Sequence, residues 1–193
     1  ARELSDAGVK ILGTSIDSID IAEDRDLFRH RMERLDIPMP ESGMASTIEE
    51  AIKVAAGIGY PIMIRPSFVL GGRGMEVIYD EPMLREYVAK AVGVTPDRPL
   101  LLDRFLQEAL ECECDALSDG KDVYIPAVME HIELAGVHSG DSACVIPPVS
   151  IPEKHLDTIL SYTRKIAQEL HVIGLMNMQY AIEKDKVYVL EAN

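Results

Sequence analysis

The chain has 193 residues, enough for one substantial core or two small lobes but not for two large independent domains. Its 19 basic and 33 acidic residues leave a formal charge of −14, which argues against nucleic acid or an anionic membrane as partner, since both demand a basic surface. A hydrophobic share of 47% and a charged share of 27% are those of a globular protein, and no apolar run approaches the roughly 20 residues a bilayer span needs.

Residues 1–10 read as the end of a helix, followed by a short buried strand over Val9–Gly13. The polar opening lacks the apolar stretch of a signal peptide. From Asp20 to Leu35 a polar helix carries Ile21, Leu27, Phe28, Met32 and Leu35 at roughly helical spacing, and Pro38 and Pro40 forbid its continuation. Thr47 and Glu50 predict the start of a helix running to Ile58, with Gly59 as its left-handed stop. The strand PIMIRPS, the turn LGGRG and the strand MEVIY form a hairpin with a loop. Asp80 and Pro82 suit the first turn of the next helix.

Residues 99–106 form a strand entering a second lobe. The alternating stretch ECECDALSDG turns at Asp119–Gly120 and pairs with KDVYIPAVMEHI. HSGDSACVIPP is loop followed by strand, and Ser150 with Glu153 fits a capping box before a helix over 152–170. The last twenty residues are a hairpin turning at Lys184–Asp185. The pattern predicts an α+β fold of two lobes, each an antiparallel sheet backed by helices, with a ligand cleft between them. Beginning in mid-helix and ending in a strand, the chain reads as part of a longer one. Cys112, Cys114 and Cys144 make no disulfide framework, which favours a reducing, cytoplasmic setting; the Cys112–Cys114 pair lacks the further ligands a zinc site needs.

Four segments carry chemistry. In RPSFVLGGRG, Gly71, Gly72 and Gly74 allow close backbone approach to phosphate oxygens, and Arg65 and Arg73 supply positive charge. The loop is neither a Walker loop nor a dinucleotide fingerprint, and a plain hairpin loop is the competing reading. In the last hairpin, Glu191 and Asn193 project from one strand face, and the turn can bring Gln179 opposite them. Three oxygen donors suit a hard cation, unless they are merely solvated edge residues. HIELAGVHSGDS groups His131, Glu133 and His138 with Ser139 and Ser142, without the spacing of a helical zinc site or a nucleophile elbow; a self-capping polar loop explains it equally. In LLLDRFLQEALECE, backbone beside Leu106 could pair with an adenine edge and Glu111 could accept from ribose hydroxyls.

Together RPSFVLGGRG, DRFLQEALECECD, HIELAGVHSGDS, MNMQYAIEKDKVYVLEAN and the earlier GTSIDSIDIAEDRDLF resemble the ATP-grasp domain of carbamoyl-phosphate synthetase large chains, in the half that phosphorylates carbamate. The resemblance implies the tail of a preceding Rossmann-like domain over 1–20, a small lobe with the glycine-rich loop over 21–97, and an incomplete large lobe over 98–193. It implies nucleotide contacts from Arg25, Arg65, Gly71, Gly72, Arg104, Leu106, Glu111, Gly136, Val137, His138, Ser139, Gln179 and Glu191. Gln179, Glu191 and Asn193 would ligate two magnesium or manganese ions, with Arg65, Glu191 and Asn193 the residues of catalysis. A potassium site near Glu111, His131, Glu133, Val137 and Ser142 is also implied. Carbamate would attack the γ-phosphate of ATP in line, giving carbamoyl phosphate and ADP for arginine and pyrimidine synthesis; ammonia would come from a glutaminase subunit. The rival readings are another ATP-grasp carboxylate ligase, such as a biotin carboxylase relative, a nucleotide-binding module without turnover, and a metal-dependent hydrolase using Ser139.

Overall fold

The computed structural model describes residues 2–66, 75–94, 99–137 and 139–193. They fall into two compact units, residues 40–107 and residues 1–39 with 108–193. These boundaries lie at 39/40 and 107/108, whereas the sequence suggested 20/21 and 97/98.

The discontinuous unit begins with three helices, α1 (Arg2–Asp6), α2 (Ile16–Glu23) and α3 (Arg25–Arg34). The single helix expected over 20–35 is broken at Asp24, whose extended backbone ends α2 and whose carboxylate accepts from Leu27 N–H to start α3. Phe28 and Met32 of α3 enter the core of the large sheet, which is why this segment belongs with it. Burying each contributes about 1.5–3 kcal/mol. The strand expected at Val9–Gly13 does not form. Val9 and Leu12 are exposed, and the segment is tied down by Thr14, whose hydroxyl donates to Ile173 O and accepts from Ile173 N–H.

Unit 40–107 contains β1 (Ser42–Ala45), α4 (Ile48–Ile58), β2 (Ile62–Pro66), β3 (Glu76–Ile78), α5 (Glu81–Val94) and β4 (Leu100–Arg104), in an antiparallel sheet of order β1-β4-β2-β3. Strand β4 therefore closes this sheet rather than opening the other: it pairs with β1 on one side and β2 on the other. Ile62, Ile64, Ile78, Leu100 and Leu102 form one face and pack with Ala51, Ala55, Leu84 and Val88 of the helices. The expected caps are present: Thr47 Oγ1 accepts from Glu50 N–H, Gly59 ends α4 at φ +87°, and Asp80 accepts from Met83 N–H.

The rest of the larger unit is β5 (Leu110–Asp119), β6 (Val123–Tyr124), β7 (Val128–His131), a 3-10 turn (Ser139–Asp141), β8 (Cys144–Val145), α6 (Glu153–Glu169), β9 (Ile173–Glu183) and β10 (Lys186–Ala192). The sheet runs β10-β9-β5-β7-β8, with β6 paired to β5. Cys112, Cys114 and Ala116 of β5, Met176, Met178 and Tyr180 of β9, and Val187 and Val189 of β10 make the core face, against Ile159, Ile166 and Ala167 of α6. Helix α6 starts at Glu153 with Pro152 as its cap residue, so the expected capping box at Ser150 is absent. Ser150 is engaged elsewhere: its N–H and hydroxyl both donate to the Glu130 carboxylate on β7, which also accepts from Val149 N–H at 2.7 Å.

Candidate functional site

Because side chains alternate along a strand, turning Cys112, Cys114 and Ala116 into the core turns Glu111, Glu113 and Asp115 to the other face. On β9 the same alternation turns the half-buried Asn177 and Gln179 to the other face, between the buried Met176, Met178 and Tyr180. The register then decides which groups meet. Gln179 lies opposite Glu113 on one side and opposite Glu191 on the other. Asn177 lies opposite Asp115, and its backbone exchanges both hydrogen bonds with Asn193 at 2.8 Å. The result is two rows across three strands, Glu113–Gln179–Glu191 and Asp115–Asn177–Asn193, an oxygen-rich patch on a sheet whose opposite face is sealed by α6.

Within the patch, Asn193 Nδ2 donates to Glu191 Oε1 at 3.2 Å. Asn177 Nδ2 donates to Glu113 Oε2 at 3.1 Å and to Asp115 Oδ1 at 2.8 Å. The three expected metal-ligating residues are thus brought together on one face: Glu191 and Asn193 alternate as their spacing suggested, and an irregularity in β10 between Val189 and Glu191 sets Gln179 opposite Glu191. Glu113, Asp115 and Asn177 were not singled out from the sequence, although the period of two that marks Cys112 and Cys114 as core marks them as the complement.

At the next position along β5, Glu111 accepts from Gly136 N–H at 3.0 Å. Burial pushes its carboxyl above the ordinary glutamate range, only partly countered by that hydrogen bond and by His131. His131 of β7 lies between two acids, with Nδ1 3.8 Å from Glu111 and Nε2 3.4 Å from Glu113. Its side chain is 3% exposed, and neither ring nitrogen has a hydrogen-bond partner. Glu133, expected beside a monovalent cation, is engaged by Ala143 N–H at 2.6 Å. Gly136 has φ +94° and Val137 is part-exposed, in the loop before the 3-10 turn that Ser139 begins; His138 lies outside the described residues. Arg25 opens α3. Among the described residues no group of three His, Cys, Asp or Glu side chains is arranged as a metal centre. The oxygen set Gln179–Glu191–Asn193 contains a single carboxylate and two amides, a donor set that fits a hard divalent cation sharing its shell with another ligand.

In unit 40–107 the face opposite the apolar core carries Arg65 and Asp103, diagonal neighbours on β2 and β4, with Arg65 Nη2 3.8 Å from Asp103 Oδ2. Arg104 ends β4, with Nη1 3.8 Å from Glu41, and Leu106 is buried just beyond. Gly71 and Gly72 lie outside the described residues.

Two antiparallel sheets backed by helices, one presenting an oxygen-rich open face and the other an arginine-bearing one, define an ATP-grasp fold. The C. jejuni biotin carboxylase–β,γ-ATP complex superposes with a TM-score of 0.82, at 20% identity, over all of this chain and 44% of its own. The biotin carboxylase domain of Hydrogenobacter thermophilus 2-oxoglutarate carboxylase, with MgADP, ADP and bicarbonate, gives 0.81 at 21% identity, covering 100% of this chain and 44% of that one. Residues 24–193 match the family model of the carbamoyl-phosphate synthase L chain, ATP binding domain, and the chain belongs to that family. It is 59% identical over its full length to the carbamoyl phosphate synthase large chain of Archaeoglobus fulgidus, of which it spans 18%. It is also 52% identical to the C-terminal section of that large chain in Methanocaldococcus jannaschii, covering 100% of this chain and 31% of the relative. No helix among the described residues is long and apolar enough to cross a membrane.

Proposed function

We propose that this chain is the ATP-binding core of an enzyme that phosphorylates carbamate to carbamoyl phosphate, in the C-terminal half of a carbamoyl phosphate synthase large chain. The observation that carries the reading is the pairing of Gln179 with Glu191, with Asn193 beside it, on the open face of the larger sheet. The full-length likeness to C-terminal-section relatives supports the choice of carbamate.

The electrostatics of that face favour a cation-bearing nucleotide. Glu111, Glu113, Asp115 and Glu191 would repel a bare triphosphate, so cations must lie between them and the phosphates. Gln179, Glu191 and Asn193 would hold magnesium or manganese, which when bound neutralises phosphate charge and orients the oxygens for in-line transfer. Arg25, Arg65 and Arg104 would add positive charge around the nucleotide, and the loop with Gly71 and Gly72 would cover the phosphates. Glu111, whose carboxyl is fixed by Gly136 N–H, would accept from the ribose hydroxyls, with Leu106, Val137, His138 and Ser139 lining the base and sugar. Carbamate is already an anion, so phosphoryl transfer to its oxygen calls for positioning and charge neutralisation rather than a general base. Potassium near Glu111, His131 and Ser142, ammonia from a glutaminase subunit, a cytoplasmic location and a role in arginine and pyrimidine synthesis complete the proposal.

The test is nucleotide affinity of the full-length protein as a function of magnesium, for wild type and Glu191→Ala. Magnesium-dependent binding of ATP is expected to weaken at least tenfold in the variant. Unchanged affinity would remove Glu191 from the site, and ATP turnover without carbamoyl phosphate formation would point to a different ATP-grasp ligase.

A further inference from the structure

We propose that Asn177 is a specificity-determining residue that offers a hydrogen-bond acceptor to a substrate bearing N–H or O–H bonds, and that Glu113 and Asp115 are the positioning residues that hold it in that orientation. The inference rests on the reading of this face as a carbamate-phosphorylating site.

Asn177 Nδ2 lies 3.1 Å from Glu113 Oε2 and 2.8 Å from Asp115 Oδ1. Ionised carboxylates only accept, so the end of the side chain that faces both of them must be the NH2 end, and its two protons are both used. A flip would set Oδ1 against two carboxylate oxygens. What Asn177 can present to an incoming group is therefore the acceptor Oδ1, not a donor. It does so beside the row of Glu113, Gln179 and Glu191, and its backbone N–H and C=O are both hydrogen bonded to Asn193, so its place relative to the proposed phosphoryl site is set by the sheet.

This polarity is unexpected for an anion site, where an asparagine would ordinarily donate. It suits a small anion that carries its own donor. Carbamate has carboxylate oxygens at one end and an NH2 at the other, whereas acetate puts a methyl group in the same place. Bicarbonate, with a hydroxyl, would pass the same filter, so the device separates donor-bearing substrates from plain carboxylates. A second observation points to a ligand on this face. Glu113, besides accepting from Asn177, lies 3.4 Å from His131 Nε2, and that ring is almost wholly buried with neither nitrogen hydrogen bonded. A buried imidazole whose nitrogens face two carboxylates without hydrogen bonding to either is costly unless something completes its hydrogen bonding.

The experiment runs the proposed reaction backwards in the full-length protein, transferring phosphate to MgADP from carbamoyl phosphate or from its methyl isostere, acetyl phosphate. MgADP affinity is measured alongside by calorimetry. Wild type is expected to prefer carbamoyl phosphate in kcat/KM. In Asn177→Ala that preference falls about tenfold, the value of one hydrogen bond of ordinary strength, with the change in the KM for carbamoyl phosphate. In Glu113→Gln/Asp115→Asn the two flip states become equivalent and the preference falls about twofold. A ratio that stays constant in both variants while rates fall would make these residues structural and overturn the inference, as would a wild type without preference. Failure to bind MgADP or to use either phosphoryl donor would instead overturn the reading on which the inference rests, and the inference with it.

Discussion

The buried pair of Thr163 on α6 and Tyr180 on β9 makes a quantitative prediction about what holds helix to sheet. Both residues are 0% exposed, and their hydroxyls lie 2.7 Å apart. Thr163 has one hydroxyl proton, and its Oγ1 lies 2.8 Å from Ile159 O, the carbonyl one turn earlier, which can only accept. The phenol must then be the donor to Thr163. Burial pushes the Tyr180 phenol far up, so it keeps its proton throughout the working range. Tyr180→Phe removes one donor and leaves the Thr163–Ile159 bond intact, costing about 1 kcal/mol. Thr163→Val leaves a phenol proton with no acceptor in a dry core, costing about 2–3 kcal/mol. The double variant has no orphan and returns close to about 1 kcal/mol, so the pair couples by roughly 2 kcal/mol. Urea unfolding followed by far-ultraviolet circular dichroism measures all three, and Thr163→Val alone should lower Tm by about 4–12 °C. If Thr163→Val cost no more than Tyr180→Phe, or if the two losses simply added, the donor assignment would be wrong.

Other expectations follow from particular contacts. A Cβ built on Gly43 of β1 would sit 2.6 Å from Val54 Cγ1 of α4, so Gly43→Ala is expected to destabilise by about 1–3 kcal/mol, and Val54→Ala in the same chain should recover part of it. Glu130 is pushed up by burial, but the Ser150 hydroxyl and the N–H groups of Ser150, Val149 and Ile151 more than offset this and hold its carboxyl below the ordinary value of 4.5. Its folded value being depressed, the stability it contributes is present above that ordinary value and lost as pH falls through the folded one. The gap in unfolding free energy between wild type and Glu130→Gln, measured by urea titration and about 2 kcal/mol at neutral pH, should therefore close on acidification; a gap that widened would contradict the assignment. Glu111 is shifted in the opposite sense, chiefly by burial. The stability cost of keeping it ionised should ease as pH falls through its raised folded value, so Glu111→Gln is expected to be neutral or stabilising at pH 7 when no nucleotide is present.

Local signals in this chain were legible and partnerships were not. Thr47, Gly59 and Asp80 announced helix ends because a cap is a contact between residues three or four apart. The turn at Lys184–Asp185 is legible for the same reason, but counting pairs back from it sets Leu190 opposite Gln179, and only the irregularity between Val189 and Glu191 puts Glu191 there. Strand β4, by contrast, is an apolar run whose neighbours are 40 and 60 positions along the chain, and nothing in its own pattern says that they are β1 and β2. Ser150 looked like a cap because the motif is local, yet a carboxylate twenty residues earlier claims it. Glu113, Asp115 and Asn177 escaped notice because each is ordinary alone, and only the alignment of β5 with β9 makes them a group.

The irregularity in β10 between Val189 and Glu191 has a consequence for how the site tolerates change. Counting by twos from Val187 and Val189 would land Glu191 among the methionines of the interior, where an ionised group costs several kcal/mol. Leu190 is the supernumerary residue that resets the parity, sending Ala192 inward and the carboxylate outward. Chemistry at this edge is therefore hostage to arithmetic: one residue more, or a strand that ironed itself straight around the same letters, would trade grease for charge without altering a single donor.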